Sequence, residues 1–298
     1  MARELRGNIT SLIDGTTALV RISNPSKRNA LEPDSYWAIG DAVQAANANP
    51  EVRCIIVTGD EKSFCSGMDI EAFTGESTAE VAAHSLGGIE HMIGSITRAD
   101  VPVIAAAEGA VAGVGASLAC ACDLIVAAES AFITLPFGRI GLMPDGGAVA
   151  TLAASIGRHR AMQLVLLQER IPAADAVDFG LFAEVTPTGG ALEKAKQLAE
   201  GFTASPRGAV AETKRAVNRV SLTELPNSMV NEARFQTELL QSPGHKEGVA
   251  AFLERRAPKF KSRADPRCPS RRTPAGRALF TPLSCERSRT LGTKGRPP

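Results

Sequence analysis

The stretch GAVAGVGASLACACDLIVA, residues 109–127, carries no charge until Asp123 and consists almost wholly of Gly, Ala, Val, Leu and Cys. A membrane span needs roughly 20 predominantly apolar residues, and here Glu108 and Asp123 interrupt the run on either side. Gly109, Gly113 and Gly115 cluster at one end, which marks a turn and not the middle of a span. The stretch therefore reads as the end of a strand, a glycine turn, and a helix beginning near Ala116.

Outward from it, the pattern repeats. TALVRIS (17–23), VRCIIVTG (52–59), VPVIAAAEG (101–109) and DLIVAA (123–128) are continuously apolar and rich in β-branched residues, as buried strands are. Between them, residues 33–50 open with Pro33 and place apolar residues on one helical face, and residues 85–98 do the same. Alternating strands and helices predict an α/β fold. From about residue 147 onward only helical patterns are expected, including ADAVDFGLFAEV (174–185). The expected division is a core over 1–200, a helical region over 201–261 and a tail over 262–298.

The 298 residues are 44% hydrophobic, ample for a packed core. Residues 262–298 hold nine Lys or Arg against two acids, so the formal +1 of the whole conceals a body near −6 and a Pro-rich, basic tail near +7. That composition predicts a disordered appendage. MARELRGNIT holds no apolar segment of the secretory kind, so a cytoplasmic protein is expected. The six cysteines form no CxxC pair and no metal-ligand pattern, and no dinucleotide fingerprint occurs. They are expected to be small buried hydrophobes.

Two glycine-containing segments interrupt the α/β half. KSFCSGMDI (62–70) follows the strand ending at Gly59, and AEGAVAGVG (107–115) leads into a helix. A helix N-terminus offers unsatisfied N–H groups and a partial positive charge. It could hold an anionic oxygen, with a second donor from the Gly67-Met68 turn. Such turns also bind phosphate or simply pack closely.

Taken together and in order, these segments resemble the enoyl-CoA hydratase and isomerase family, also called the crotonase family. The likeness runs from about residue 12 to 261 through NPSKRNAL (24–31), FCSGMDI (64–70), residues 102–127, LPFGRIGLMPDGG (135–147), 174–185 and GHKEGVAAFLERRAPKF (244–260). The resemblance implies a spiral of ββα units followed by a helical C-terminal region that forms homotrimers, commonly paired into hexamers. It implies an acyl-CoA substrate, with coenzyme A as part of that substrate and no separate cofactor. Neither a membrane nor a nucleic acid is an expected partner.

By the same resemblance, the N–H groups of Met68 and Val114 form the oxyanion hole for a thioester enolate. The family usually has Gly where Val114 stands, and a β-branched residue would be strained if that position required a positive φ. Lys27, Arg28, Ala30 and Leu31, with Ser66 and Ile70, are expected to contact CoA. Glu71 stands where a basic residue often follows in the family.

The two glutamates used for hydration correspond to Ser117 and Phe137, which would border the substrate without serving as acid or base. One acid stands in the right segment, Asp145. Desolvated by Phe137, Leu142 and Met143, it would serve as a single base for double-bond isomerisation; as an Asp before Gly-Gly and a helix, it would equally serve as an N-cap. By the resemblance, His84 and His91 lie on a segment that borders the acyl pocket, although each reads first as a solvated or packed helix histidine; Tyr36 and Trp37 read as core aromatics. The alternatives are a non-catalytic acyl-CoA-binding protein, a thioester hydrolase or dehalogenase with Asp145 as nucleophile, and a weak hydratase.

Overall fold

A computed structural model describes residues 3–73 and 78–260; the expected basic tail, 262–298, lies outside the described residues. The helix expected at 33–50 is α1 (Pro33–Ala48), and the strands at 17–23, 52–59, 101–109 and 123–128 are β3 (Thr17–Ile22), β4 (Cys54–Thr58), β6 (Val103–Ala107) and β8 (Leu124–Ala128). These four run parallel side by side in a seven-stranded sheet of order β1-β2-β3-β4-β6-β8-β11. The antiparallel β1 (Arg3–Glu4) and β2 (Ile9–Asp14) extend one edge, and β11 (Glu184–Thr186) closes the other.

Both faces of this sheet are covered, which is why its strands read as unbroken apolar runs. Ile55 and Val57 of β4, with Val103 and Ala105 of β6, enter the main core. Cys54, Ile56, Ile104 and Ala106 point the other way, onto Ala191, Ala195 and Ala199 of α6 (Ala191–Gly201).

Each of three successive turns of chain adds a strand to the large sheet, then one to a smaller sheet, then a helix. The series is β4, β5 (Ser63–Cys65), α2 (Thr78–Thr97); then β6, β7 (Ala110–Ala112), α3 (Val114–Ala121); then β8, β9 (Phe132–Thr134), α4 (Ala148–Leu167). The small sheet has the order β10-β9-β7-β5, with β10 at Ile171–Pro172. This is the ββα spiral expected from the resemblance.

Two expectations need correction. Strands do not stop at residue 147, since β10 and β11 follow. The segment 174–185 is helical only as far as α5 (Ala173–Asp178) and then enters β11, where parallel pairing to β8 overrides any local helical preference. Three further helices, α7 (Arg207–Ser221), α8 (Leu225–Leu240) and α9 (Pro243–Leu253), complete the described chain. Among the described residues, no helix is long and apolar enough to cross a membrane.

Candidate active site

Strands β5 and β7 are parallel neighbours, so the turns that follow them leave the small sheet side by side. Each turn pivots on a glycine that L-residues could not replace without strain: Gly67 at φ 103° and Gly113 at φ 56°, ψ −130°. A β-carbon built on either glycine would lie 3.6 Å from the other's Cα, so the two backbones pass in contact. Met68 and Val114 follow directly. As the first residue of α3, Val114 has an N–H without an intrahelical acceptor. Beside it, Leu31 N–H donates to Gly67 O (2.8 Å) and Asp69 N–H to Leu31 O (2.9 Å). Along that extended segment, the intervening Met68 N–H faces the opposite side.

The condition for strain at Val114 is not met. Its φ is not positive, because Gly113 absorbs the left-handed conformation one residue earlier. The helix also starts at Val114, earlier than the expected Ala116, and Gly115 lets it approach β5: a β-carbon there would lie 2.9 Å from Cys65 O and 2.7 Å from Cys65 Cβ.

Met68 and Val114 line a cavity of about 650 Å³. The loop 24–31 forms its rim. Arg28 and Asn29 both have positive φ, and buried Asn29 holds the loop by donating to Ser63 O (2.7 Å) and accepting from Asn24 N–H (2.9 Å). Ser66 N–H donates to Arg28 O and Ser66 Oγ to Lys27 O. Lys27, Arg28, Ala30, Ser66 and Ile70 all line the cavity. Leu31 does not; it is fully buried beneath the rim. The ammonium of Lys27 is held between Asp69 Oδ2 (2.7 Å) and Glu71 Oε2 (2.8 Å), which raise its pKa, so its charge is already matched within the protein. Other cations at the cavity are Arg139 and Arg255, which lie within the segments 135–147 and 244–260 but were not singled out there, and Arg170, which lies outside every quoted segment.

Asp145 also lines the cavity. It is buried, and its Oδ2 accepts from Gln236 Nε2 at 2.8 Å while Oδ1 has no partner among the described residues. Desolvation pushes its pKa up to about 7; the Gln236 hydrogen bond works against that rise, and the nearby Glu232 carboxylate adds to it. The capping role is excluded. Gly147 is the N-cap of α4, and its N–H donates to Glu232 Oε2 at 2.7 Å, leaving Asp145 free to face the cavity. Gln236 also brackets Met143, accepting from its N–H and donating to its carbonyl, so α8 fixes the whole segment. Both α8 residues lie outside any motif in the sequence.

Phe137 lines the cavity near Leu142, as expected. Ser117 does not reach it. Fully buried, its Oγ donates to Asp145 O (2.7 Å) and to Gly113 O (3.4 Å), which ties the acid's backbone to the glycine turn. Nor do the two histidines border the cavity. They lie on the outer side of α2, where His84 meets Asp34 and His91 meets Asp41, both against Trp37. Cys65 is no nucleophile: burial pushes its thiol up to about 12. Tyr36, expected in the core, is buried but also borders the cavity.

Among known proteins, the family model for enoyl-CoA hydratase/isomerase matches residues 13–263. A Rhodobacter capsulatus protein described as a "Probable enoyl-CoA hydratase" is 36% identical over 249 residues, 83% of this chain and 95% of that protein. The 1,2-epoxyphenylacetyl-CoA isomerase of Escherichia coli is 28% identical over 257 residues, 85% of this chain and 97% of that one. A crystal structure of an enoyl-CoA hydratase from Mycobacterium avium subsp. paratuberculosis superposes with a TM-score of 0.78 at 37% identity, covering 86% of this chain and 99% of the other.

Proposed function

The chain belongs to the enoyl-CoA hydratase/isomerase family, and from that premise we propose that it moves the double bond of an enoyl-CoA thioester, with Asp145 as the single base. In this reading the Asp145 carboxylate removes a proton from the carbon between thioester and double bond. The released electron pair spreads into a dienolate whose charge gathers on the thioester oxygen, where the Met68 and Val114 N–H groups receive it. The protonated Asp145 then returns the proton at the far end of the conjugated system, so the product is an isomer and nothing is oxidised.

The observation that carries the proposal is the buried Asp145 carboxyl, with one oxygen unpaired among the described residues, in the same cavity as the two glycine turns. A carboxyl titrating near 7 is a far stronger base than an exposed aspartate and is still half ionised at neutral pH. Hydration is disfavoured because Ser117 and Phe137 stand where the resemblance would place its two carboxylates. Exposed apolar side chains on α7 and α8, Val217, Val220 and Val230, support the further proposal that copies associate as a trimer or hexamer.

The test is NMR observation of double-bond migration and α-proton exchange in D₂O for a panel of 3-enoyl-CoA thioesters. Asp145→Asn should lose ~10²–10⁴ of the rate while acyl-CoA affinity stays within a few-fold. Tight binding by the unaltered protein without exchange would favour a non-catalytic acyl-CoA binder instead.

A further inference from the structure

Tyr36 lies on α1 beneath α2, close enough to Gly88 that a β-carbon there would come within 2.9 Å of Tyr36 Cβ. Its side chain is fully buried and its hydroxyl has no hydrogen-bond partner among the described residues. The residue borders the same cavity as Met68, Val114 and Asp145. Asp145 Oδ1 is likewise buried and unpartnered. Two residues that line one cavity thus carry an unmet donor and an unmet acceptor among the described residues, neither satisfied by the other.

A buried hydroxyl without a partner costs stability, and phenylalanine would fill the space without that cost. The arrangement makes physical sense if a ligand atom completes it. Burial and the negative field of Asp145, the largest of the nearby charges, raise the phenol's pKa, so it is a donor throughout the working pH range.

We propose that Tyr36 donates a hydrogen bond to an oxygen carried on the acyl chain beyond the thioester carbonyl, so that this site selects oxygen-bearing acyl-CoA thioesters over plain hydrocarbon ones. This rests on the reading that the cavity holds an acyl-CoA with its thioester at Met68 and Val114. A site built to bond a substrate oxygen discriminates strongly against the analogue lacking it, because its own polar group is then left unpaired. Tyr36 is a specificity residue here and takes no proton from the substrate.

The experiment measures affinity by calorimetry for matched pairs: butanoyl-CoA against 3-hydroxy- and 4-hydroxybutanoyl-CoA, and the hexanoyl equivalents, each hydroxyl in both configurations where it is chiral. The unaltered protein should bind at least one hydroxylated member at least ~10-fold tighter than its parent. Tyr36→Phe, which removes only an unpaired oxygen and so should fold, should bring that ratio within about two-fold and leave parent affinity unchanged. An equal ratio in both proteins, or no preference in the unaltered one, overturns the assignment. Absence of binding by every thioester, parents included, would instead overturn the acyl-CoA reading on which it stands.

Discussion

Met68 and Val114 present backbone donors from turns that leave adjacent strands, whereas Asp145 owes its state to side chains far along the chain, with Gln236 91 residues away. The first wall is set by local conformation: two glycines and a strand register determine where the N–H groups point. The second wall is set by packing. Gln236 and Glu232 arrive on α8, and without them Asp145 would be a buried acid with both oxygens unpaired and α4 would start with an unmet N–H. One wall is built from local backbone; the other depends on side chains distant in the sequence.

The comparison breaks most readily at the glycines. Alanine at position 67 or 113 would have to keep φ 103° or φ 56°, ψ −130°, and at Gly67 its β-carbon would press to 3.0 Å from Ala112 O. Either substitution should therefore displace a donor and lower kcat/KM by ~10²–10³, with a folded far-UV spectrum retained. Near-normal rates in a folded Gly113→Ala protein would show that the backbone wall does not hold the developing charge.

A smaller and different effect is expected from the other wall. The Gln236 hydrogen bond holds the Asp145 pKa down, so Gln236→Met should raise it above about 7. The active base is the ionised form, so kcat/KM climbs with pH and levels off above the free-enzyme pKa. In Gln236→Met that rise should move to higher pH, costing up to about ten-fold at pH 7 for each unit moved, while the high-pH plateau changes little. A pH–rate profile of both proteins reads this directly, and an unmoved limb would separate Gln236 from the base.

The smallest effect on rate is expected at Val114→Gly. Because Val114 lies outside the left-handed region, glycine relieves no strain, and the rate should stay within about two-fold. Stability should still drop by about 2 kcal/mol through lost burial and added chain freedom, visible as a lower Tm. A large gain in rate would mean that the valine side chain, and not its φ, obstructs the hole.

What the sequence discloses follows the same divide. The central strands were legible because burial on both faces leaves long apolar runs, and the glycine turns because each is a few contiguous residues. The three-residue strands β5, β7 and β9 were not delineated, since so short a segment has no period to read. In β11, Glu184 and Thr186 mask the one apolar residue between them. Asp145 could be singled out as the one acid in its segment, but not relieved of a capping role until Glu232 was seen to serve α4. Gln236, Glu232 and Tyr36 carry no local signature; their roles exist only once three helices meet, and the Tyr36 ring looks like any other core aromatic until its hydroxyl is placed.

The 91-residue span between Asp145 and Gln236 also orders events during synthesis. Chains leave the ribosome N-terminus first, and contacts close in sequence can form before those that are distant. Both glycine turns and their strands emerge while α8 has yet to be translated. A nascent chain ending before residue 225 could assemble the backbone wall, yet it would lack Gln236 and Glu232, the two groups of α8 that adjust the acidity of Asp145. The glycine turns can thus form first, while the pocket is completed only when the last helices dock and bring Gln236 and Phe252 to it.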